Sequence, residues 1–252
     1  MKKLIIIALL WGGVFALTNC ADLDPLPWTQ NDVFINTKYN ADSTLVHGLS
    51  LYSRSNKRLA SSTATSPSQE TYNMNVYIAL QPYEFLWDTP DEEMSTDLPE
   101  AGTYTFSAFT KSDNEEITGS DILKSKYLMP THIVSCEFDS INSKLNVVWH
   151  TIDDADYSIL FLQNAVGKEV YASSSITAND TTESVIGSSK NWLAIDYANQ
   201  EEGAYVPTEG ETLTLQIVYF RKDTNDDEGK LLDARSICTY DFVWHDPIEV
   251  TD

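Results

Sequence analysis

TLTLQIVYF, residues 212 to 220, alternates apolar and polar side chains along most of its length. Leu213, Leu215, Ile217 and Tyr219 fall on one face if this stretch is extended, because successive side chains of a strand point to opposite sides. The same period of two recurs between clusters of turn residues along the rest of the chain, and no stretch has the pattern of a long amphipathic helix. The sequence therefore predicts an all-β protein.

The second half of the chain shows the alternation most clearly, and we assign residues 130 to 246 to one β-sandwich that opens at Pro130. Four further strand-like segments each place three residues on one face. They are residues 132–139 (Val134, Cys136 and Phe138), 144–151 (Leu145, Val147 and Trp149), 156–163 (Tyr157, Ile159 and Phe161, alternating with Ser158, Leu160 and Leu162) and 236–244 (Cys238, Tyr240 and Phe242). Residues 247–252 are left as a short tail.

Residues 31 to 129 are less regular, and we assign them to another sandwich. Its strand-like segments are DVFINTKYN (32–40), STLVHGLSLYS (43–53), YNMNVYIAL (72–80) and LPEAGTYTFSAFT (98–110). SNKRLASSTATSPSQET, residues 55 to 71, is polar and rich in serine and threonine. It is predicted to be a mobile loop available for contacts.

These residues carry a resemblance to known folds. The tryptophan at the end of an early strand, the hairpin DADYSILFLQNAVGKEVYASS (154–174) and a late pair of long strands resemble a fibronectin type III or immunoglobulin-like domain. The strand that contains Gly102-Thr103-Tyr104 resembles the tyrosine-corner strand of immunoglobulin-like sandwiches, and also strands of fimbrillin-like proteins of Bacteroidota. The resemblance implies two tandem sandwiches, with the Tyr104 hydroxyl tying a loop back to its sheet. It also implies that Trp149 is a core residue rather than a platform for a ligand.

The start of the chain has the layout of a secretory signal. Two lysines precede the apolar run LIIIALLWGGVFAL, residues 4–17, which is shorter than the roughly 20 residues that a spanning helix needs. Residues 17–20, LTNC, resemble the lipobox of bacterial lipoproteins. That resemblance implies removal of residues 1–19 and lipidation of Cys20, and the alternative is an ordinary signal peptide. Residues 20–30 would then form a short tether with acidic residues and prolines.

The charge balance restricts the partners. The chain has 38 acidic and 16 basic residues and a formal net charge of −22 at pH 7. Nucleic acid is excluded as a partner, because phosphate binding needs a basic face. Direct attraction to anionic lipid headgroups is disfavoured for the same reason. Neutral glycans, cationic partners and calcium remain compatible with this surface.

Two cysteines follow Cys20, and the sequence leaves their state open. Cys136 and Cys238 lie on strand-like segments at opposite ends of the second sandwich. They either form a disulfide in an oxidising cell envelope or serve as two small buried hydrophobic residues.

A weak calcium site is one interpretation of KDTNDDEGK, residues 222–230. Asp223, Asn225 and Asp227 have the 1-3-5 spacing of a loop with oxygen ligands. The glycine comes one position late, and the position of the bidentate glutamate is an alanine, Ala234. A solvated acidic turn is the alternative, and no other cofactor is expected.

No catalytic motif is recognisable. The sequence contains no GxSxG, HExxH, phosphate-binding loop or CxxC pair, and its four histidines are scattered. Exposed aromatic residues that stack on sugar rings are the remaining candidates for a site. Trp87 and Trp192 stand off the core alternation and are the candidate glycan-binding residues, with Trp28 as either another candidate or a tether residue packed on the first sandwich.

The whole layout resembles the two-domain surface lipoproteins of Bacteroidota. That resemblance implies a lipid-anchored protein of the cell envelope, held at the outer membrane and exposed at the cell surface, that binds or adheres to a ligand without catalysing a reaction. The ligand would be a glycan or a cell-surface protein. The alternatives are an accessory glycan-binding lipoprotein of a polysaccharide-uptake system and a fimbria-associated subunit. Two sandwiches in series would reach about 60–80 Å from the membrane.

Overall fold

The computed structural model describes residues 25–77, 82–139, 144–186, 205, 207–223 and 231–245. Within these residues the regular elements are β-strands, apart from one short 3₁₀ turn at Asp91–Glu93. No helix in the described part of the chain is long and apolar enough to cross a membrane.

The described residues contain sixteen strands, numbered here in chain order. The first eight are β1 (Thr29–Tyr39), β2 (Leu45–Ser55), β3 (Leu59–Thr65), β4 (Thr71–Asn73), β5 (Asn75–Val76), β6 (Glu84–Asp88), β7 (Gly102–Thr110) and β8 (Glu116–Leu123). The second eight are β9 (Ile133–Asp139), β10 (Lys144–Trp149), β11 (Tyr157–Gln163), β12 (Glu169–Ala172), β13 (Ile176–Thr177), β14 (Thr182–Ile186), β15 (Thr212–Lys222) and β16 (Leu232–Val243).

The two halves of the chain repeat one arrangement of strands. In the first half, β4-β3-β7-β8 form one sheet and β1, β2 and β6 lie side by side in another. In the second half, β12-β11-β15-β16 and β14-β10-β9 correspond to them strand for strand. Each half is therefore a β-sandwich of two facing sheets, and the prediction of two sandwiches is confirmed.

Each sandwich encloses its own apolar core. The first core consists of Val33, Ile35, Leu49, Leu51, Leu59, Ala64, Met74, Phe85, Tyr104, Phe106, Ala108 and Leu123. The second core is built on the alternating faces predicted for β10 and β15, and Trp149 in it is only 1% exposed. The Trp149 indole N–H donates to the Tyr219 hydroxyl at 3.0 Å, so the polar atom of this core tryptophan is satisfied.

Three predictions about individual strands are wrong. Residues 55–71 are not a loop throughout, because β3 runs through them and directs Ser62 and Ala64 into the first core, where small side chains fit. Val134 is 56% exposed, since a bulge between β9 and β10 turns it outward and lets Ile133 pack on the second core instead. Tyr240 is 47% exposed and lies beyond the part of β16 that pairs with β1.

The predicted tyrosine corner is present. The Tyr104 hydroxyl in β7 donates to the backbone carbonyl of Glu100 at 2.9 Å, and the ring is 1% exposed. This bond ties the segment before β7 back onto its own strand. Burial, followed by the charges of Glu100 and Glu70, raises the pKa of Tyr104 to about 12, so the hydroxyl stays protonated.

The two sandwiches are joined side by side, not in series. β1 and β16 pair in parallel, with Ile35 opposite Ala234 and Lys38 opposite Ile237. This pairing, which we call the seam, fuses one sheet of each sandwich into a nine-stranded sheet. The seam contradicts the end-to-end arrangement on which the expected reach of 60–80 Å rests. Alternation along the sequence could not predict this, because the two strands are separated by almost the whole chain.

Buried and partly buried charges cross the seam. Lys124, just after β8, donates to Asp223, which follows β15, at 2.8 Å and to Asp233 of β16 at 2.7 Å. In the other direction, Arg235 of β16 reaches Asp88 of β6 at 3.0 Å. Since each bond joins the two halves, the sandwiches are held by ion pairs as well as by backbone pairing.

Asp32 is another charged residue at the seam, and one of its carboxylate oxygens is uncompensated. It is 2% exposed, its Oδ2 accepts the Leu232 N–H at 2.9 Å, and its Oδ1 has no hydrogen-bond partner. Burial raises the pKa of Asp32 well above its usual value, and the nearby carboxylates of Asp121, Asp223 and Asp233 raise it further. The polar side chain at Asp32 therefore costs folding free energy at neutral pH.

Candidate functional site

A cleft of about 330 Å³ opens at one end of the first sandwich. Its walls come from the turn after β3, at residues 66–70, and from the segment between β6 and β7, at residues 89–101. β1 begins at the opposite end of this sandwich, where the Trp28 N–H donates to the Asn56 side chain at 2.9 Å. The length of β1, 11 residues or about 37 Å, therefore separates the start of the described chain from the end that carries the cleft.

An aromatic pair lies in the cleft. Tyr72 of β4 and Trp87 of β6 come from the two facing sheets, and their ring centroids are 4.6 Å apart at an angle of 53°. Both rings are partly buried and pack against the first core. Because the core fixes one side of each ring, the pair offers a rigid apolar surface at the cleft.

Acidic and hydroxyl groups surround the aromatic pair. The carboxylates are Glu70, Glu93, Asp97 and Glu100, and no lysine or arginine is among the described residues that line the cleft. The Tyr72 hydroxyl donates to Glu70 Oε2 at 2.9 Å, and the Ser68 N–H donates to Glu100 Oε2 at 3.1 Å. These bonds hold two of the carboxylates beside the rings.

The backbone keeps the wall formed by residues 89–101 in place. His47 and Ser95 exchange backbone hydrogen bonds of 2.7 and 3.1 Å. At Gly48, a Cβ atom would lie 2.9 Å from the Thr89 Cβ, so glycine permits this close approach. His47 itself is 7% exposed, and burial lowers its pKa, so its ring is uncharged at neutral pH.

The sequence predicted one member of this cleft, Trp87. It did not predict Tyr72, which lies 15 positions earlier in a segment interpreted only as a strand, nor the four carboxylates. The other candidates do not join the cleft. Trp28 is 48% exposed at the opposite end of the sandwich, while Trp192 and Cys20 lie outside the described residues.

The calcium loop stays a prediction. Asp223 is bonded to Lys124, and Asn225 and Asp227 lie outside the described residues. Within the described ranges, no group of three or more histidine, cysteine, aspartate or glutamate side chains is arranged to hold a metal ion.

Cys136 and Cys238 are free thiols in the structure, on β9 and β16 of the two facing sheets. Burial raises the pKa of Cys136 to about 11 and also raises that of Cys238. Both are therefore poor nucleophiles in the folded protein.

A second cleft, of about 570 Å³, lies beside the seam. Its lining mixes the cations Lys126, Arg221 and Lys222 with Asp154 and Asp156. Two of these groups already interact with neighbours within the second sandwich. The Lys222 backbone N–H donates to the Asp156 carboxylate at 2.7 Å, and the Lys222 ammonium lies 5.6 Å from the Tyr157 ring centroid. It is larger but lacks a paired aromatic surface, so the Trp87 cleft is the better candidate for a binding site.

Strand order and the two cores define the class of protein: an all-β chain of two fibronectin type III-like or immunoglobulin-like β-sandwiches. No family model matches the chain, and no curated protein matches it. Similar solved structures include a segment of two fibronectin type III domains from chicken tenascin, with 13% identity, a TM-score of 0.27 and coverage of 77% of this chain and 91% of that one.

Two other solved structures are similar at the same level. The three domains FN1–FN3 of chicken CNTN1 show 11% identity and a TM-score of 0.29, and the match covers 85% of this chain and 66% of that one. The BSP domain of a biofilm associated protein shows 11% identity and a TM-score of 0.24, over 90% of this chain and 30% of that one. Scores this low carry no argument about what the chain binds, so the site has to be judged by its own geometry.

Proposed function

We propose that this chain is a lipid-anchored binding protein of the bacterial cell envelope that captures carbohydrate in the Trp87 cleft without catalysing a reaction. The observation that carries the proposal is the rigid Tyr72–Trp87 pair, set among carboxylates and hydroxyl groups. Sugar rings present apolar C–H faces and polar rims. A cleft with an aromatic surface and hydrogen-bonding edges matches both.

The place of the cleft suits capture at a surface. In the proposal, the LTNC segment is the lipidation site, Cys20 carries the lipid, and the protein is exposed at the outer membrane like the Bacteroidota lipoproteins it resembles. The chain then enters the first sandwich at Thr29, and the cleft lies at the end of the sandwich away from the anchor. The ligand would therefore meet the side that faces away from the membrane.

Binding is favoured over hydrolysis because the carboxylates beside the rings have structural partners. Glu70 accepts the Tyr72 hydroxyl, and Glu100 accepts the Ser68 N–H while its carbonyl holds Tyr104. A glycosidase needs one carboxyl group free to donate a proton and another free to act on the sugar or water. We therefore assign these groups to recognition and to the shape of the cleft.

A fimbrial role is less well supported. Strand exchange needs an element that can leave its own fold. β1 pairs with β2 over its whole length and with β16 from Ile35 to Lys38. The first strand is therefore hydrogen-bonded to a neighbour on both sides.

The experiment is affinity electrophoresis of soluble protein, residues 21 to 252, in gels that contain plant, host or microbial polysaccharides. We expect one class of neutral or amine-bearing polysaccharide to retard the protein. Trp87→Ala should weaken that binding at least about tenfold, through loss of the stacking surface. Trp28→Ala removes an exposed tryptophan at the opposite end and is the matched control. Equal retardation of the two variants would refute the assignment of the cleft, and no retardation by any polysaccharide would refute carbohydrate capture.

A further inference from the structure

The charges at the cleft point to a narrower class of ligand. We infer, on the basis of the carbohydrate-binding function proposed above, that the cleft prefers saccharides with primary ammonium groups, such as unacetylated amino sugars, to uncharged or acidic ones.

The cleft has anionic groups without local cations to neutralise them. Its four carboxylates face a lining in which the described residues include no lysine or arginine. The basic residue of β1 is Lys38, which forms an ion pair with Asp91. Neither residue lines the cleft. His47 contributes no charge at neutral pH, because burial lowers its pKa. A uronate or sulfated ligand would meet repulsion at this cleft, and an ammonium group would meet attraction.

Two of the carboxylates lie close to the aromatic pair itself. Burial is the main cause that raises the pKa of Tyr72. The hydrogen bond to Glu70 raises this pKa further, and the negative charges of Glu70 and Glu100 add to the effect. The hydrogen bonds to Glu70 and Glu100 each use Oε2, and a carboxylate has about four lone-pair positions for donors. Both groups therefore retain the capacity to accept bonds from a ligand beside the rings.

The combination of rings and carboxylates is what distinguishes this cleft from an acidic patch. A cation over a tryptophan or tyrosine face is attracted to the ring, with tryptophan the strongest partner. Trp87 and Tyr72, whose rings are in contact at 4.6 Å between centroids, supply the aromatic surface, and the carboxylates supply charge-assisted hydrogen bonds for the ammonium protons. A neutral sugar can also donate its hydroxyl protons to the carboxylates, whereas an amino sugar adds a positive charge that both the carboxylates and the aromatic rings attract.

The test compares three tetrasaccharides with the same β-1,4 backbone, built from glucosamine, N-acetylglucosamine or glucose, by titration calorimetry at pH 6 and low salt. We expect the glucosamine chain to bind at least about fivefold more tightly than the other two. The preference should shrink in 0.5 M NaCl, because salt screens charges at a partly exposed site. A fourth chain with the same backbone, built from glucuronate, should bind most weakly.

Two variants separate recognition from general attraction to an acidic protein. Glu93→Gln removes a charge from the lining, and Glu92→Gln removes one from the neighbouring exposed residue outside the lining. We expect the first to reduce the preference for the glucosamine chain about two- to threefold and the second to leave it unchanged. Trp87→Ala should abolish the preference, while non-specific attraction would survive it.

The outcomes also separate this inference from the proposed function. If the glucose or N-acetylglucosamine chain binds as tightly as the glucosamine chain, in a manner that depends on Trp87, carbohydrate capture stands and the charge preference is overturned. Tighter binding of the glucuronate chain, or loss of the preference equally in Glu92→Gln and Glu93→Gln, also overturns it. Failure of all four chains to bind overturns the preference for amino sugars, and carbohydrate capture is overturned with it only if no polysaccharide retards the protein in the electrophoresis experiment.

Discussion

Replacing Asp32 with asparagine should stabilise the protein at neutral pH. The Asp32 side chain is 2% exposed at the seam, and its Oδ1 has no hydrogen-bond partner. Asparagine keeps one oxygen that accepts the Leu232 N–H. Its amide nitrogen takes the place of the oxygen that has no partner and supplies an N–H donor there. That donor would face carboxylates that already act on Asp32, among them Asp121 and Asp233. The substitution changes charge and hydrogen bonding but hardly changes volume.

The expected gain follows from the orphan atom. Leaving one buried polar group without a partner costs about 1–3 kcal/mol, and relief of that cost sets the size of the effect. In a chain of this length, 1 kcal/mol corresponds to a shift in Tm of about 2–4 °C. Asp153→Asn, at an exposed position after β10, is the control and should change the free energy of unfolding by less than about 0.5 kcal/mol.

The gain should depend on pH with a defined sign. The pKa of Asp32 is higher in the folded than in the unfolded chain, so the folded state binds this proton more tightly. Its contribution to stability is fully present below the unfolded pKa, near 3.9, and is lost as pH rises through the folded pKa. Asparagine does not titrate, and its advantage over aspartate should therefore be full at pH 7–8 and largely absent by about pH 3.5.

Urea unfolding of both proteins at a series of pH values, followed by tryptophan fluorescence, measures this difference directly. A decrease in stability at pH 7, or a gain of equal size at pH 3.5 and pH 7, would show that Asp32 is not a costly buried carboxylate. The control variant distinguishes a local effect from the general relief of a large negative net charge.

Three further predictions test other parts of the fold. Lys124→Met should lower the free energy of unfolding by at least about 2 kcal/mol, because it removes the ammonium group shared by the buried Asp233 and the partly buried Asp223, and urea unfolding measures this. Tyr104→Phe should cost about 1–2 kcal/mol in the same assay through loss of the bond to the segment before β7; an unchanged midpoint would mean the bond is not formed. Cys136 and Cys238 should both react with an alkylating reagent in denaturant without reductant and react slowly in the folded protein, as judged by mass spectrometry; no labelling in denaturant would indicate a disulfide.

The fold class was predictable because large apolar side chains dominate the strands that build the cores. Leu213, Leu215 and Ile217 are nearly inaccessible, as their alternation requires. β3 was missed because its buried residues are mostly serine and alanine, which give no contrast between its faces. Val134 was misplaced because one extra residue at a bulge reverses the side to which a chain points, and apolarity alone does not reveal a bulge.

The site was predictable only in part, because its members come from distant segments. Trp87 was identifiable by itself as an aromatic residue beside an acidic turn. Its partner Tyr72 and the carboxylates Glu70 and Glu100 join it only when the two sheets of the first sandwich face each other. Asp32 similarly has the pattern of a surface residue in its strand, and the parallel pairing with β16 is what buries it.

The pairing of the first strand with the last has a mechanical consequence. If a ligand were held in the cleft while the chain ahead of Thr29 was pulled, the tension would act on β1 along the axis of the strand. The hydrogen bonds to β2 lie across that direction over all 11 positions of the strand, and those to β16 add a second row. They would have to slide together rather than open one at a time, so tension is shared among many bonds. The strand that receives the force first is therefore the one that is hydrogen-bonded to neighbouring strands on both sides.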